Sequence, residues 1–162
     1  MTLVRRLALL AAVALAVVAA AAGAASAAPT SIPIAVLHSR SGDQVLVVAP
    51  VRIDRHFYLM ILDTGASSTL IDRGIARKLH LRKAGRPQRA AGVFGRGRVA
   101  PVRVTNWQLG PLALPRAKIF AAGLGVQRLG RFKVVGLLGS DILSRCGRVL
   151  IDYSAQVLTV GS

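Results

Sequence analysis

The residues that could do chemistry lie in one short stretch, Ile61-Leu62-Asp63-Thr64-Gly65-Ala66-Ser67-Ser68-Thr69-Leu70-Ile71. Its carboxylate follows an apolar run, Phe57 to Leu62, that reads as a buried strand. A carboxylate there is costly unless it is hydrogen-bonded, so its position calls for an explanation. General acid–base work is one. Gly65 can take a turn closed to other residues and present its N–H to the carboxylate, and the Thr64 hydroxyl can hold a fixed hydrogen bond. An Asx-turn that ends a strand is the other, because Asp-Thr-Gly alone is a weak pattern. The choice of carboxylates is narrow: all six acidic residues are Asp (Asp43, Asp54, Asp63, Asp72, Asp141 and Asp152), and the chain has no Glu.

Other chemistries have less to work with. Cys146 is the one cysteine, which excludes an intrachain disulfide; with no neighbouring His it reads as a small buried hydrophobe rather than a nucleophile. His38, His56 and His80 show no metal-ligand spacing, and a zinc site would need scattered Asp ligands. They read as surface or core histidines, and neither a metal nor a cofactor is expected.

Short strands must position the Asp63 stretch. Ile32 to Leu37 is an apolar run with Pro33 near its start, Ser39 to Asp43 interrupts it, and Gln44 to Ile53 resumes before Asp54-Arg55 turns the chain. Asp72 suits the N-cap of a short helix through Ile75, Ala76 and Leu79, ending where Gly85 and Pro87 forbid continuation. Gly92, Gly95 and Gly97 surround Val93 and Phe94 ahead of Val99, Val102 and Val104, the pattern of a mobile hairpin returning to a strand. Trp107 to Leu112 reads as a turn between strands, Gly123 to Gly130 as a loop and Phe132 to Val135 as a short strand. Gly136 to Leu143 reads as a strand entering a helix, and Arg148 to Tyr153 with Gln156 to Val160 as a final hairpin. At 162 residues with no internal repeat, this is one domain and not a solenoid or propeller.

Charge and the N-terminus concern location. Lys and Arg number 22 against 6 acidic residues, a net charge of +16, while 53% of residues are hydrophobic, which excludes a disordered tail. Such a surface favours nucleic acid, anionic lipid or an acidic envelope polymer. Aromatics are only 4% of residues and there is no zinc-finger spacing or helical basic region, which argues against nucleic acid. Met1 to Arg6 carries Arg5 and Arg6, Leu7 to Ala22 is apolar, and Ala25-Ser26-Ala27 has the small-x-small pattern of a signal-peptidase site. Residues 1–27 are therefore expected to be a signal peptide, with the mature protein exported to a periplasmic or extracellular location. The alternative is an uncleaved anchor, since the 19 residues from Leu7 to Ala25 could just span a bilayer.

Two motifs in order give the Asp63 stretch its context. Leu59 to Ile71 resembles the Asp-Thr-Gly strand and loop of the retropepsin-like aspartic proteases, single-domain relatives of the pepsins. Gly136-Leu137-Leu138-Gly139-Ser140-Asp141-Ile142-Leu143 is similar to that family's hydrophobic-hydrophobic-Gly motif entering a short helix. Val149 to Tyr153 and Val157 to Val160 are similar to the closing hairpin of a pepsin lobe. The resemblance covers most of residues 44–160. It implies a mostly β chain forming a retropepsin-like closed β-barrel, the acid-protease fold of one lobe, with one or two short helices. Residues 28–43 would form an N-terminal strand and linker, and 44–162 the protease domain.

The same resemblance assigns roles. Asp63 would be the catalytic aspartate, Thr64 would bond across the dimer axis, and Gly65 would let substrate backbone approach. Ala66 and Ser67 would contact substrate from the loop, and Ala90 to Val104 would be the flap, with Val93, Phe94 and Gly95 nearest its tip. Ser67 and Ser140 depart from the viral enzymes, which usually pair an acid with an arginine there. Asp141 is expected to be structural, starting its helix and bonding back toward Thr69. Two carboxylates about 3 Å apart share one proton, one acting as base on a water and the other as acid. With one Asp-Thr-Gly per chain, activity implies a homodimer hydrolysing a peptide or protein substrate. The alternative is a non-catalytic module on the same fold that binds an envelope peptide or polymer, an anionic envelope surface included.

Overall fold

The structure is a computed structural model that describes residues 28–38, 45–92, 95–129 and 131–161. The expected signal peptide, the Ser39 to Asp43 break, and Val93 and Phe94 at the expected flap tip lie outside the described residues. The chain begins with β1 (Thr30–Pro33), β2 (Ala35–His38), β3 (Val45–Ile53), β4 (His56–Leu62), β5 (Leu70–Asp72) and helix α1 (Arg73–Lys78). It continues through β6 (Arg82–Lys83), β7 (Gln88–Gly92), β8 (Gly95–Val104), β9 (Trp107–Leu109), β10 (Leu112–Ala113), β11 (Ala117–Ala122) and β12 (Gln127–Leu129). It closes with β13 (Phe132–Leu138), helix α2 (Ser140–Leu143), a 3-10 turn at Ser144–Cys146, β14 (Val149–Asp152) and β15 (Val157–Val160).

Alternation along β3 and β4 creates the core. Val51 pairs with Tyr58 and Ala49 with Met60, and all four are buried, while Arg52 pairs with the exposed Phe57 on the opposite face. Trp107 is 2% exposed, and its indole N–H donates to the Pro115 carbonyl at 2.8 Å, satisfying the one polar group it buries. Ile32, Ile119, Leu138, Ile142 and Leu158 complete the core from other elements.

The expected closed barrel is not what forms. The larger sheet runs β10-β9-β3-β4-β13-β5-β11-β8-β6, with β2 on β3, β12 on β13 and β7 on β8, and its end strands β10 and β6 do not pair. Both ends are too short to supply a closing ladder. Leu112–Ala113 is flanked by Pro111 and Pro115, and Arg82–Lys83 presents two exposed cations, features that blunt a sheet edge. A separate sheet, β1-β15-β14, supplies Ile32, Leu158 and Val160 to the core.

Local chemistry explains other differences. Helix α1 stops at Lys78, well before Gly85, because His80 turns into the left-handed region at φ 51° and the chain re-enters the sheet as β6. Gln127–Leu129, expected within a loop, is a strand because β13 offers it an antiparallel partner from Val134 to Phe132. Pairing outweighs its polar sequence. The final hairpin forms as read, with Val149 to Asp152 against Val157 to Val160.

Candidate active site

Three strands frame the Asp63 loop. β13 lies between β4, to which it is parallel, and β5, to which it is antiparallel; β4 leads into the loop and β5 leads out. Leu137 and Leu138 pair with Ile61 and Leu62, while Gly136 and Leu137 pair with Ile71 and Leu70. The crossing is tight enough that a Cβ on Gly136 would run into the Leu70 carbonyl oxygen, and it would stand 3.0 Å from the Ile71 Cα. Glycine is therefore required by close approach.

Asp63 is half-buried and its carboxylate is fixed by the backbone that follows it. Oδ1 accepts from the Gly65 N–H at 3.0 Å and the Ala66 N–H at 3.1 Å, and the Asp63 N–H donates to the Leu138 carbonyl at 3.0 Å. This is an Asx-type turn that aims a carboxylate. Gly65 does so without the special backbone expected of it, since the positive-φ glycines are Gly85, Gly110, Gly125, Gly147 and Gly161. Thr64, Gly65 and Ser67 are exposed, and Ala66 is half-buried.

The turn after β13 anchors the far side of the loop. The Thr69 hydroxyl, 0% exposed, donates to Asp141 Oδ1 at 2.7 Å and accepts from the Gly139 N–H at 2.9 Å. The expected bond from Asp141 back to Thr69 is present. The Ala66 carbonyl accepts twice from Ser140, from its N–H at 2.8 Å and its hydroxyl at 3.0 Å. A Cβ on Gly139 would meet that carbonyl oxygen at 2.7 Å and the Ser68 carbonyl carbon at 2.8 Å. Ser140 thus supports the loop through its main chain and not through Ser67. The sequence marked Ser140 as a departure and as the start of the helix with Asp141, and the helix does begin there; its bonds to the Ala66 carbonyl were missed, and its place two residues after Leu138 was the available signal.

The β7–β8 hairpin reaches the site through the sheet. Gly95 pairs with Gly92, β8 pairs with β11, and β11 runs parallel to β5. The Arg73 guanidinium at the start of α1 donates to the Arg98 carbonyl at 2.7 Å, tying the helix after the loop to this hairpin. Asp72 caps α1, its Oδ1 accepting from Gly74 and Ile75 N–H at 2.8 and 3.2 Å. Elsewhere, Cys146 is half-buried, with its Sγ donating to the Ile142 carbonyl at 3.7 Å, and burial pushes its thiol pKa up. His38, His56 and His80 are all exposed. Among the described residues no three His, Cys, Asp or Glu gather as metal ligands.

The sequence profile of a family described as "Aspartyl protease" matches residues 49–142, from β3 through the turn that anchors the loop. No curated protein gives a significant match. Among solved structures, a retropepsin-like aspartic protease from Rickettsia conorii superposes with a TM-score of 0.52 at 19% identity, covering 81% of this chain and 97% of that one. The retroviral protease-like domain of Ddi1 from Leishmania major gives a TM-score of 0.48 at 18% identity, covering 71% and 87%. At 19% identity the likeness to the Rickettsia conorii protein is one of fold.

Proposed function

The chain belongs to the aspartyl protease family, and from that premise we propose that it is an exported aspartic endopeptidase whose active form is a homodimer. Asp63 from each subunit would meet at the two-fold axis, sharing one proton. One carboxylate then takes a proton from the attacking water while the other protonates the scissile carbonyl oxygen. Thr64 and Gly65 would support the pair at the axis. Ala66, Ser67 and the hairpin tip at Val93, Phe94 and Gly95 would hold an extended peptide as an added strand.

The observation that supports this reading best is the fixing of the Asp63 carboxylate. Two backbone N–H groups hold Oδ1, and the loop that supplies them is itself bonded to Gly139, Ser140 and Asp141. A catalytic group must be placed by its surroundings to this degree, whereas an aspartate that only ends a strand needs no such second layer. Export follows from residues 1–27, read as a signal peptide cleaved after Ala27.

The test is cleavage of a mixed peptide library by purified residues 28–162 between about pH 3 and 7, with and without pepstatin and beside Asp63→Asn. Mass in solution is measured on both proteins. Cleavage by a dimer, lost in the variant, is the expected result. A well-folded monomer without cleavage overturns the enzyme and leaves the binding module on the same fold.

A further inference from the structure

The strands that deliver Asp63 have a second end. β4 and β13 are parallel, so their starts lie together at the end of the sheet remote from the loop, about 20 Å away along the seven residues of β4. Two connections reach that end: Asp54-Arg55 between β3 and β4, and the one from β12 that leads through Arg131 into Phe132 of β13. Each carries an arginine followed closely by a phenylalanine. Phe57 is 65% exposed and Phe132 39%, large values for aromatic side chains.

Their arrangement is not scattered. Leu59 pairs with Val134 across β4 and β13, and Phe57 and Phe132 each stand two residues earlier, on the same sheet face. The Arg131 guanidinium lies over the Phe132 ring, 5.0 Å from its centroid. Arg128 and the half-buried Lys133 form a cross-strand pair in the same hairpin, on the sheet face opposite Phe132, so that cations border the rings from behind the sheet end. Against these three cations and Arg55, the two connections set one acid, Asp54. Exposed aromatic rings flanked by cations are the chemistry of an interface between hydrocarbon and anionic headgroups.

We infer that this end of the sheet docks the protein on an anionic phospholipid bilayer, with Phe57 and Phe132 entering the headgroup boundary and Arg55, Arg128, Arg131 and Lys133 facing lipid phosphates. The charge complementarity is local, four cations against one acid beside apolar side chains, in a chain whose remaining basic residues are dispersed. Side chains carried beside two turn tips suit a fluid surface better than a bound peptide, which needs a groove. Docked this way, the protein holds the Asp63 loop away from the bilayer, toward solvent.

The experiment is vesicle co-sedimentation of residues 28–162, which contain every element of the described fold and omit the apolar leader. Vesicles are phosphatidylcholine alone or with about one-third phosphatidylglycerol, at low and high salt. Expected is binding to the anionic vesicles only, weakened by salt. Arg55→Glu with Arg131→Glu should weaken it at least about tenfold, and Phe57→Ser with Phe132→Ser about tenfold. Arg103→Glu with Lys118→Glu, an exposed cross-strand pair on β8 and β11, should change it less than about threefold once lost net charge is matched. Emission from the buried Trp107 reports that each variant is folded. Equal losses from both charge reversals would mean diffuse attraction and overturn the proposal. So would binding unchanged by loss of both phenylalanines, or binding to polyglutamate but not to vesicles. None of these readouts depends on proteolysis.

Discussion

The same two strands, β4 and β13, finish in opposite ways. At their C-terminal ends the chain commits one buried hydroxyl, one half-buried hydroxyl and main-chain groups to one loop: Thr69 bridges Gly139 and Asp141, and Ser140 bonds twice to the Ala66 carbonyl. At their N-terminal ends the turns carry exposed cations and aromatic rings, with one cation–π contact as the local ordering. Chemistry on a bond requires atoms held in place, and buried, fully paired polar groups do that. Contact with a diffuse surface requires only charge and apolar area, which exposed side chains supply without fixed geometry.

The contrast can be broken most severely at Asp63. Asp63→Asn keeps an oxygen for the Gly65 and Ala66 N–H groups, so it should fold normally while cleavage falls by about a hundredfold to ten-thousandfold. Circular dichroism beside the peptide assay checks both halves. Gly136→Ala comes next, because the new methyl group meets the Leu70 carbonyl; a loss of about 3 kcal/mol is expected from urea denaturation, with cleavage lost as the loop shifts. Thr69→Val keeps the shape but strands the Gly139 N–H and Asp141 Oδ1, costing about 2 kcal/mol and lowering cleavage even where the protein remains folded.

Milder probes sharpen the same contrast. Tyr58 lies in β4 between the two ends, and burial raises its hydroxyl pKa as it raises the Cys146 thiol. Between each group's ordinary value and its raised one, the folded chain keeps a proton the unfolded chain has lost. Stability should therefore fall as pH rises through that alkaline window, and Tyr58→Phe or Cys146→Ala should flatten the fall in urea midpoints. The smallest effect belongs to the other end: Phe57→Ser should change stability by no more than about 0.5 kcal/mol. A large loss there, seen in the same titration, would mean that Phe57 is a packing residue and the two ends are not so different.

Residues acting through near neighbours were legible in the sequence. Asp72 capping α1, the apolar strand into Asp63 and the hairpin of β14 and β15 are local pairings with local signatures. The Thr69–Asp141 bond was legible only through the resemblance of the two motifs to the retropepsin-like family, since nothing local to either residue names the other. What escaped depends on distant chain. The open path of the sheet turns on two end strands whose two-residue lengths no periodicity reveals, and β12 exists because β13 lies beside it. Gly65 invited a conformational argument, yet its N–H reaches Asp63 from ordinary backbone, so the residue type pointed to the right bond for a reason the structure does not use.

The insertion of β13 between β4 and β5 also governs when the protein can become itself. The flanking strands are separated by one short loop, whereas the strand that must part them arrives some seventy residues later in the chain. A nascent polypeptide ending before Phe132 has no partner for either inner edge, and the Ala66 carbonyl and Thr69 hydroxyl have none of their donors. Assembly of the loop is thus a late, long-range event, slow by topology. Until β13 is in place the two strands beside the loop are held apart by nothing, so the Asp63 loop takes its shape only in the completed fold.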